Sequence, residues 1–222
     1  RKSDRKAIEY HYDVSNEFYS LWLDPRMVYS CAYFRSGDED LPTAQVQKLD
    51  HICRKLMLEQ GQTLLDIGCG WGAMAIHAAS RYGVKVVGVT LSTNQYELAR
   101  ERVRTAGLED RVEIRLQDYR DVPGDASFDR ISSIGMFEHV GLKNLRGYFE
   151  TVHRLLRPGG VAMGDGITSS DADSRSVGIR WRCEPSVAQR FLGGHHQILP
   201  EGIRPLRDFL GHIPCGLEAL DI

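Results

Sequence analysis

The chain has 222 residues, of which 42% are hydrophobic and 26% are charged, and its formal net charge is −2. This composition is typical of a globular protein with enough apolar material for one α/β domain or two small ones. Because the charge balance is nearly neutral, we expect no nucleic-acid partner. The five cysteines are widely spaced and form no CxxC pair, which indicates a reducing, cytoplasmic compartment. No apolar run reaches the length of a membrane span, and no signal peptide opens the chain.

In chain order, helical periodicity comes first and is followed by alternating strands and helices. Apolar residues recur at helical spacing in 13–23 and 43–58. Five short strands are then predicted at 63–68, 84–90, 112–117, 129–135 and 159–167, and the helices between them at 72–82, 93–106 and 142–157. This alternation predicts a parallel sheet with helices on both faces, whose ligands bind outside the carboxyl ends of the strands.

The composition divides the chain into three parts. Residues 1–60 form an N-terminal helical segment, 61–168 contain the alternating core, and 169–222 form a divergent tail without sustained periodicity. The first residues are locally basic. Such a run is usually a solvated end, but it also suits an anionic membrane surface.

The stretch "LLDIGCGWG" at 64–72 is the first candidate binding site. It places Asp66 and then Gly68, Gly70 and Gly72 at a strand-to-helix turn, where glycine permits positive φ and close approach of a ligand. The plain alternative is a tight turn. A dinucleotide site would prefer GxGxxG and an acid about 20 residues later, whereas here the second strand ends in Thr90. A ligand with an adenosine but no pyrophosphate therefore fits better.

Five stretches together resemble the cyclopropane-fatty-acid synthase family of S-adenosylmethionine-dependent methyltransferases, which includes the mycolic acid cyclopropane synthases. They cover roughly residues 7–178 and read "HYDVSNEFYSLWLDPRMVYSCAYF", "LLDIGCGWG", "VVGVTLSTNQ", "LQDYRD" and "IGMFEHVG". The resemblance implies a doubly wound, Rossmann-like class I methyltransferase sheet with an N-terminal helical cap and with its C-terminal strands missing or altered. It implies transfer of a methyl(ene) group to the cis double bond of an unsaturated phospholipid acyl chain, which gives a cyclopropane. Peripheral contact with the inner face of a membrane follows from that substrate.

The resemblance also implies which residues hold the cofactor. Tyr29 and Ser30 would close over it, while Thr90 and Gln95 take the ribose end. The amino-acid part of the cofactor would lie along the stretch that contains Asp66, Gly68, Gly70 and Gly72. Asp118 and Tyr119 would flank the adenine. Local alternatives remain open: Ser92 to Gln95 also reads as a capping box, and Asp118 as a turn residue.

For catalysis the family uses bound bicarbonate as the base, and its ligands correspond here to Cys31, Glu138 and the backbone of Ile167. Glu138 ends a predicted strand, where a carboxylate rarely stands without a partner or a task. The alternatives are that Glu138 caps the helix starting near Leu142 and that Cys31 is a buried structural thiol. We do not assign His139 to catalysis.

Two departures from the family bear on activity. Asp165 stands where the family has a histidine, and a later tyrosine of the family is not found in 179–222. Either the anion site is inactive or severely weakened, which we favour, or the Asp165 carboxylate itself acts as base. Other readings are methylation of a different small apolar acceptor, and a cofactor-binding remnant without turnover. The histidines and cysteines of the tail match no common metal spacing, so we predict no metal.

Overall fold

The computed structural model describes residues 15–166, and Ile167 and both chain ends lie outside this range. Within it, helices and strands alternate after an N-terminal helical segment. In chain order they are α1 (Asn16–Ser20), α2 (Leu41–Lys55), β1 (Thr63–Ile67), α3 (Ala73–Tyr82), β2 (Lys85–Thr90), α4 (Thr93–Thr105), β3 (Val112–Leu116), β4 (Phe128–Ile134), α5 (Leu145–Leu155) and β5 (Leu156–Asp165). Single 3-10 turns lie at Tyr119–Asp121, Phe137–His139 and Leu142–Asn144.

The five strands form one parallel sheet in the order β3-β2-β1-β4-β5. This confirms the predicted doubly wound sheet of a class I methyltransferase. In the centre, β1 pairs with β2, where Thr63 lies opposite Lys85, and with β4, where Leu64 lies opposite Arg130. The strand order reverses at β1, so the crevice beyond the ends of β1 and β4 is where such a sheet binds its ligands.

Two hydrophobic clusters cover the two faces of the sheet. Successive side chains of a strand point to opposite faces, so Leu64 belongs to one cluster and Leu65 to the other. The Leu64 side packs against α2, α3 and α4, and the Leu65 side packs against α5. Both leucines are fully buried. β1 is therefore buried on both faces, whereas β3 has exposed side chains at Glu113 and Leu116.

Side-chain caps set the starts of two helices. The Asp40 carboxylate accepts a hydrogen bond from the Thr43 amide at 2.8 Å at the start of α2. The Ser92 hydroxyl accepts one from the Gln95 amide at 3.3 Å at the start of α4. Each cap satisfies a backbone donor that the helix itself leaves unpaired. These local signals explain why both predicted helix starts lie within two residues of the observed ones.

Predicted and observed boundaries differ by up to three residues, as at β5. The sequence predicts this strand from residue 159, whereas it begins at Leu156. Leu156 pairs with Phe128 ahead of a register shift in β4. In the described part of the sheet β5 is an outer strand, where a proline is tolerated. The helix predicted at 142–157 divides into a 3-10 turn and α5, and none of the helices in the described part is long and apolar enough to cross a membrane.

Candidate active site

A cavity opens at the carboxyl ends of β1, β2 and β4. Its volume of about 150 Å³ is roughly ten times what one water molecule needs. Nine of the ten predicted cofactor-binding residues line it, namely Tyr29, Ser30, Asp66, Gly68, Gly70, Thr90, Gln95, Asp118 and Tyr119. The tertiary structure therefore gathers these residues from four separate segments around one space.

Asp66 is the most deeply buried acid of this cavity, with 2% of its surface exposed. Its Oδ1 accepts a hydrogen bond from the Ser132 hydroxyl at 2.7 Å. Its Oδ2 accepts none from any residue in 15–166. Burial raises the pKa of Asp66 to about 6, although the hydrogen bond from Ser132 and the charge of Lys48 act in the opposite direction. The second oxygen is thus a buried acceptor that suits a cationic donor such as an ammonium group.

The three glycines of the loop have different surroundings. Gly70 has a φ of +54°, and a Cβ added there would meet nothing within 4 Å, so it faces open cavity space. A Cβ at Gly68 would lie 2.8 Å from Met136, which also lines the cavity. Gly72 is not among the lining residues; it begins α3 with a φ of +82°, and its Cβ would lie 3.3 Å from that of Ala99 on α4. The structure thus places Gly72 at a helix–helix contact beside the site.

Thr90 and Gln95 form a buried polar pair on the cavity wall. The Thr90 hydroxyl donates to the Gln95 side-chain oxygen at 2.8 Å and accepts from the Ser92 amide at 3.3 Å. The capping box considered for this stretch is therefore half formed, because Ser92 caps Gln95 while the Gln95 side chain turns to Thr90. This pairing fixes a hydroxyl and an amide at the edge of the cavity.

Asp118 has both of the roles considered for it, since it lines the cavity and caps a turn. Its Oδ1 accepts from the Arg120 amide and the Arg120 Nε, each at 2.9 Å, and its Oδ2 accepts from the guanidinium at 2.6 Å. The neighbouring Tyr119 packs edge-to-face on Tyr148 with ring centroids 5.6 Å apart. Arg120 also lines the cavity, and the sequence analysis did not select it.

The segment 27–30 lies across the cavity and is held from behind by side chains. Buried Asp24 accepts hydrogen bonds from the Val28 amide at 2.9 Å and the Arg26 amide at 3.1 Å. From α2, the Gln45 side chain donates to the Ser30 carbonyl at 3.0 Å. Tyr29 is 42% exposed, as befits a residue at the mouth of a site. These contacts give Tyr29 and Ser30 defined positions.

Lys48 is the main site residue that the sequence analysis missed. It is 6% exposed, lines the cavity, and places its Nζ 2.5 Å from the Ser30 hydroxyl. Burial lowers the pKa of Lys48 to about 8, and nearby side chains act against this effect; they are Asp165, Asp24, Cys31 and Asp66. The sequence carried a signal for this residue. Lys48 precedes Leu49 on the core-facing side of an amphipathic helix, where a charged side chain is rarely buried without a function.

The structure describes only some of the predicted catalytic residues in full. Cys31 is exposed and does not line the cavity, so it is not a buried structural thiol, yet it lies close enough to Lys48 to affect that residue's pKa. Asp165 is half-buried at the end of β5, and its carbonyl accepts from the Gly135 amide at 2.8 Å. The backbone of Glu138 lies in a 3-10 turn at the mouth of the cavity, between lining residues Met136 and His139, and its side chain is not described. Ile167 lies outside the described residues, so these catalytic roles stay predictions.

No group of three or more metal-ligating side chains occurs between residues 15 and 166. The histidines and cysteines of the tail lie outside that range.

A glycine loop after β1, a buried acid near the end of β1 and a sheet of order 3-2-1-4-5 define a class I methyltransferase fold. Within that class the chain belongs to the mycolic acid cyclopropane synthetase family, whose model matches residues 1–209. The resemblance recognised in the sequence ends near residue 178, so the family match extends further, into the divergent tail. The division of the chain at residues 60 and 168 stays a prediction.

Curated relatives agree with the family. The chain is 46% identical over 224 residues to "Probable fatty acid methyltransferase" of Pseudomonas putida, which takes in 100% of this chain and 55% of that protein. It is 51% identical over 163 residues to "Cyclopropane-fatty-acyl-phospholipid synthase" of Escherichia coli, covering 73% of this chain and 41% of that protein. The chain thus spans about half the length of these relatives.

Solved structures show the same architecture. A mycolic acid cyclopropane synthase complexed with SAH and CTAB matches with a TM-score of 0.66 and 41% identity, covering 68% of this chain and 53% of that one. A cyclopropane synthase from Mycobacterium tuberculosis matches with a TM-score of 0.72 and 34% identity, covering 93% of this chain and 65% of that one. The first of these two related structures therefore has SAH bound.

Proposed function

We propose that this chain transfers a methyl(ene) group from S-adenosylmethionine to the cis double bond of an unsaturated (phospho)lipid acyl chain and forms a cyclopropane. The observation that carries this proposal is the cavity at the switch point of the sheet, which is lined by the glycine loop and by Asp66, whose Oδ2 has no partner among the described residues, in a chain of this family. The relatives' names supply the lipid acceptor.

The described residues fit the cofactor by their chemistry. Asp66 offers an unpaired buried acceptor for the ammonium of its amino-acid part. Gly70 leaves open space for close approach of the ligand, and the Thr90–Gln95 pair offers hydroxyl and amide groups for a ribose. Asp118 and Tyr119 complete the wall on the β3 side and would flank the adenine. When bound, the cofactor supplies an electrophilic methyl group on a sulfonium.

An alkene is a weak nucleophile, so the protein's contribution is to hold it close to the cofactor and to exclude water. Ring closure requires a base that takes a proton from the transferred methyl group. A bicarbonate would supply that base, and Glu138, Cys31 and the Ile167 backbone would hold it, with Asp165 beside it. Two unit negative charges about 4 Å apart repel by about 4 kcal/mol at an effective dielectric near 20. We therefore propose that Asp165 weakens anion binding severely compared with a histidine, and the alternative is that its carboxylate acts as the base.

Peripheral contact with a membrane gives access to the acyl chain. Three large apolar side chains at α1 are exposed among the described residues: Phe18 at 48%, Leu21 at 81% and Trp22 at 44%. Their rings and methyl groups could enter the interface between lipid headgroups and acyl chains.

Cofactor binding can be tested at Gly70. Gly70→Val puts a branched side chain into the open cavity, so calorimetry should show loss of S-adenosylmethionine binding. The matched control is Gly107→Val, since Gly107 also has positive φ (+64°) and open space around its Cβ but lies on the surface after α4. Equal affinity in both variants would place the ligand elsewhere.

The acceptor can be tested by mass spectrometry of lipids from cells with and without the chain. Cyclopropane fatty acids that appear only with the chain support the proposal. A methylated product of another kind would assign a different small apolar acceptor, and no product despite cofactor binding would indicate a remnant without turnover.

A further inference from the structure

The helix α2 carries two buried polar side chains one turn apart, of which Lys48 lines the cavity. Gln45 and Lys48 are both buried on the face of α2 that packs toward the sheet, among apolar neighbours such as Leu49 and Ile52. Both side chains end on Ser30, since Gln45 donates to its carbonyl at 3.0 Å and Lys48 to its hydroxyl at 2.5 Å. A buried ammonium is costly, so its retention on a core-facing position indicates a function.

The ammonium of Lys48 contacts the wall of the cavity and is influenced by ionisable side chains from several segments. Through Ser30 it contacts the wall of the cofactor cavity, which both residues line. The acidic or ionisable side chains that act on it come from four different places: Asp24 before segment 27–30, Cys31 after it, Asp66 at the end of β1 and Asp165 at the end of β5. Lys48 is therefore the cation around which these groups are arranged in the described part of the chain.

We propose that Lys48 is a positioning residue that acts through Ser30: it fixes the Ser30 hydroxyl and supplies the positive charge that an anionic carboxylate of an amino-acid ligand requires at this end of the cavity. The inference rests on the proposed function, because it assumes that the cavity holds S-adenosylmethionine or its product. Asp66 then serves the ammonium of the same ligand, so one zwitterion meets a charge of opposite sign on each of its two groups.

The charge state of Lys48 makes this inference measurable without turnover. Burial brings the pKa of Lys48 down to about 8, so the free protein loses this positive charge above that pH. Affinity for S-adenosylhomocysteine should fall as the pH rises through 8. Asp66, with a pKa of about 6, is already ionised there. The ammonium of the ligand also loses its proton toward the top of this range, so the role of Lys48 is read from the difference between the wild type and its Lys48 variants. Cys31 also lies near Lys48, and Cys31→Ser is measured beside them.

The experiment is calorimetric titration of S-adenosylhomocysteine into the whole chain and into variants, between pH 6.5 and about 9.5. Lys48→Met should weaken binding about tenfold or more at pH 7, and its affinity should fall less steeply with pH than that of the wild type, because only deprotonation of the ligand's own ammonium remains. Lys55→Met is the matched control: Lys55 lies on the same helix, and the charge of Asp165 likewise acts on its pKa, but it does not line the cavity. That control should bind like the wild type.

Ser30→Ala approaches the same contact from the other side and remains informative if Lys48→Met fails to fold. Because Lys48 acts through Ser30, the double variant should bind little worse than either single variant, whereas independent residues would give additive losses. Lys48→Arg keeps a charge at all these pH values, so its affinity should fall with pH only as far as the ligand's own ammonium is lost.

The results separate the two proposals. If the wild type binds S-adenosylhomocysteine and Lys48→Met binds equally well, or if the losses in the double variant are additive, the role of Lys48 is refuted while cofactor binding stands. If the wild type does not bind the ligand at any pH, both proposals fall together.

Discussion

Asp66 should make the stability of the free protein depend on pH in an unusual direction. Most carboxylates in folded proteins have lowered pKa values and stabilise the fold as the pH rises. Asp66 is fully buried, and burial raises its pKa from 3.8 to about 6. The folded state therefore binds this proton more tightly than the unfolded state. The stabilisation is complete below pH 3.8 and is lost as the pH rises through 6.

The magnitude follows from the shift in pKa. A difference of roughly 2 pKa units corresponds to about 3 kcal/mol, of which about 2 kcal/mol is lost between about pH 4.5 and 7.5. For a chain of this size, about 2 kcal/mol corresponds to a change in melting temperature of roughly 4–8 °C. Lys48 stays mainly protonated over this interval, since its pKa is about 8.

The assay compares the wild type with Asp66→Asn, which keeps the shape and does not titrate. Other groups, such as Asp129 with its pKa of about 2, titrate in both proteins and cancel in the difference. Denaturant unfolding at several pH values gives the free energy of unfolding of each protein. We expect the wild type to lose about 2 kcal/mol relative to Asp66→Asn from about pH 4.5 to 7.5.

A difference that is flat across this range would refute the assignment of a raised pKa to Asp66. A difference of opposite slope would mean that the second oxygen has a strong partner in solution. Saturating S-adenosylmethionine should stabilise the wild type more than Asp66→Asn, because the ligand pairs with the ionised acid.

Three further predictions concern the glycine loop and the catalytic residues. Gly72→Ala should lower the free energy of unfolding by about 1–2 kcal/mol, and by more than Gly61→Ala. Both glycines have strongly positive φ, but only a Cβ at Gly72 would press against Ala99. Equal losses measured by denaturant unfolding would disprove the helix contact. Glu138→Gln should fold normally and lose most turnover. If the wild type is active and the variant keeps its rate, Glu138 is only a helix cap, whose loss lowers stability by about 0.3–1 kcal/mol. Asp165→His should raise cyclopropane formation in the presence of added bicarbonate, whereas product from the wild type that is independent of bicarbonate and lost in Asp165→Asn would make the aspartate the base.

The sequence could predict the sheet because its signals are local. Short strand-like runs such as "TLLDI" predict the strands, and the serine at position 92 marks a helix start through its own hydroxyl. The DxGxGxG pattern in the loop after β1 likewise needs no distant partner to be recognised. These features fixed the order of elements, the family and nine residues of the cavity wall.

Only the tertiary structure decided how those residues are used. Asp66 meets Ser132 across 66 positions of sequence, and this contact leaves one buried oxygen unpaired. Gly72 belongs to the same motif as Gly70, yet it packs on α4 because helix packing sets its surroundings. Lys48 interrupts an apolar helix face, and only the folded chain brings it to Ser30, which lies 18 residues earlier. Periodicity and turn chemistry are properties of neighbouring residues, whereas burial, pKa and the choice of a polar partner depend on segments that folding brings together.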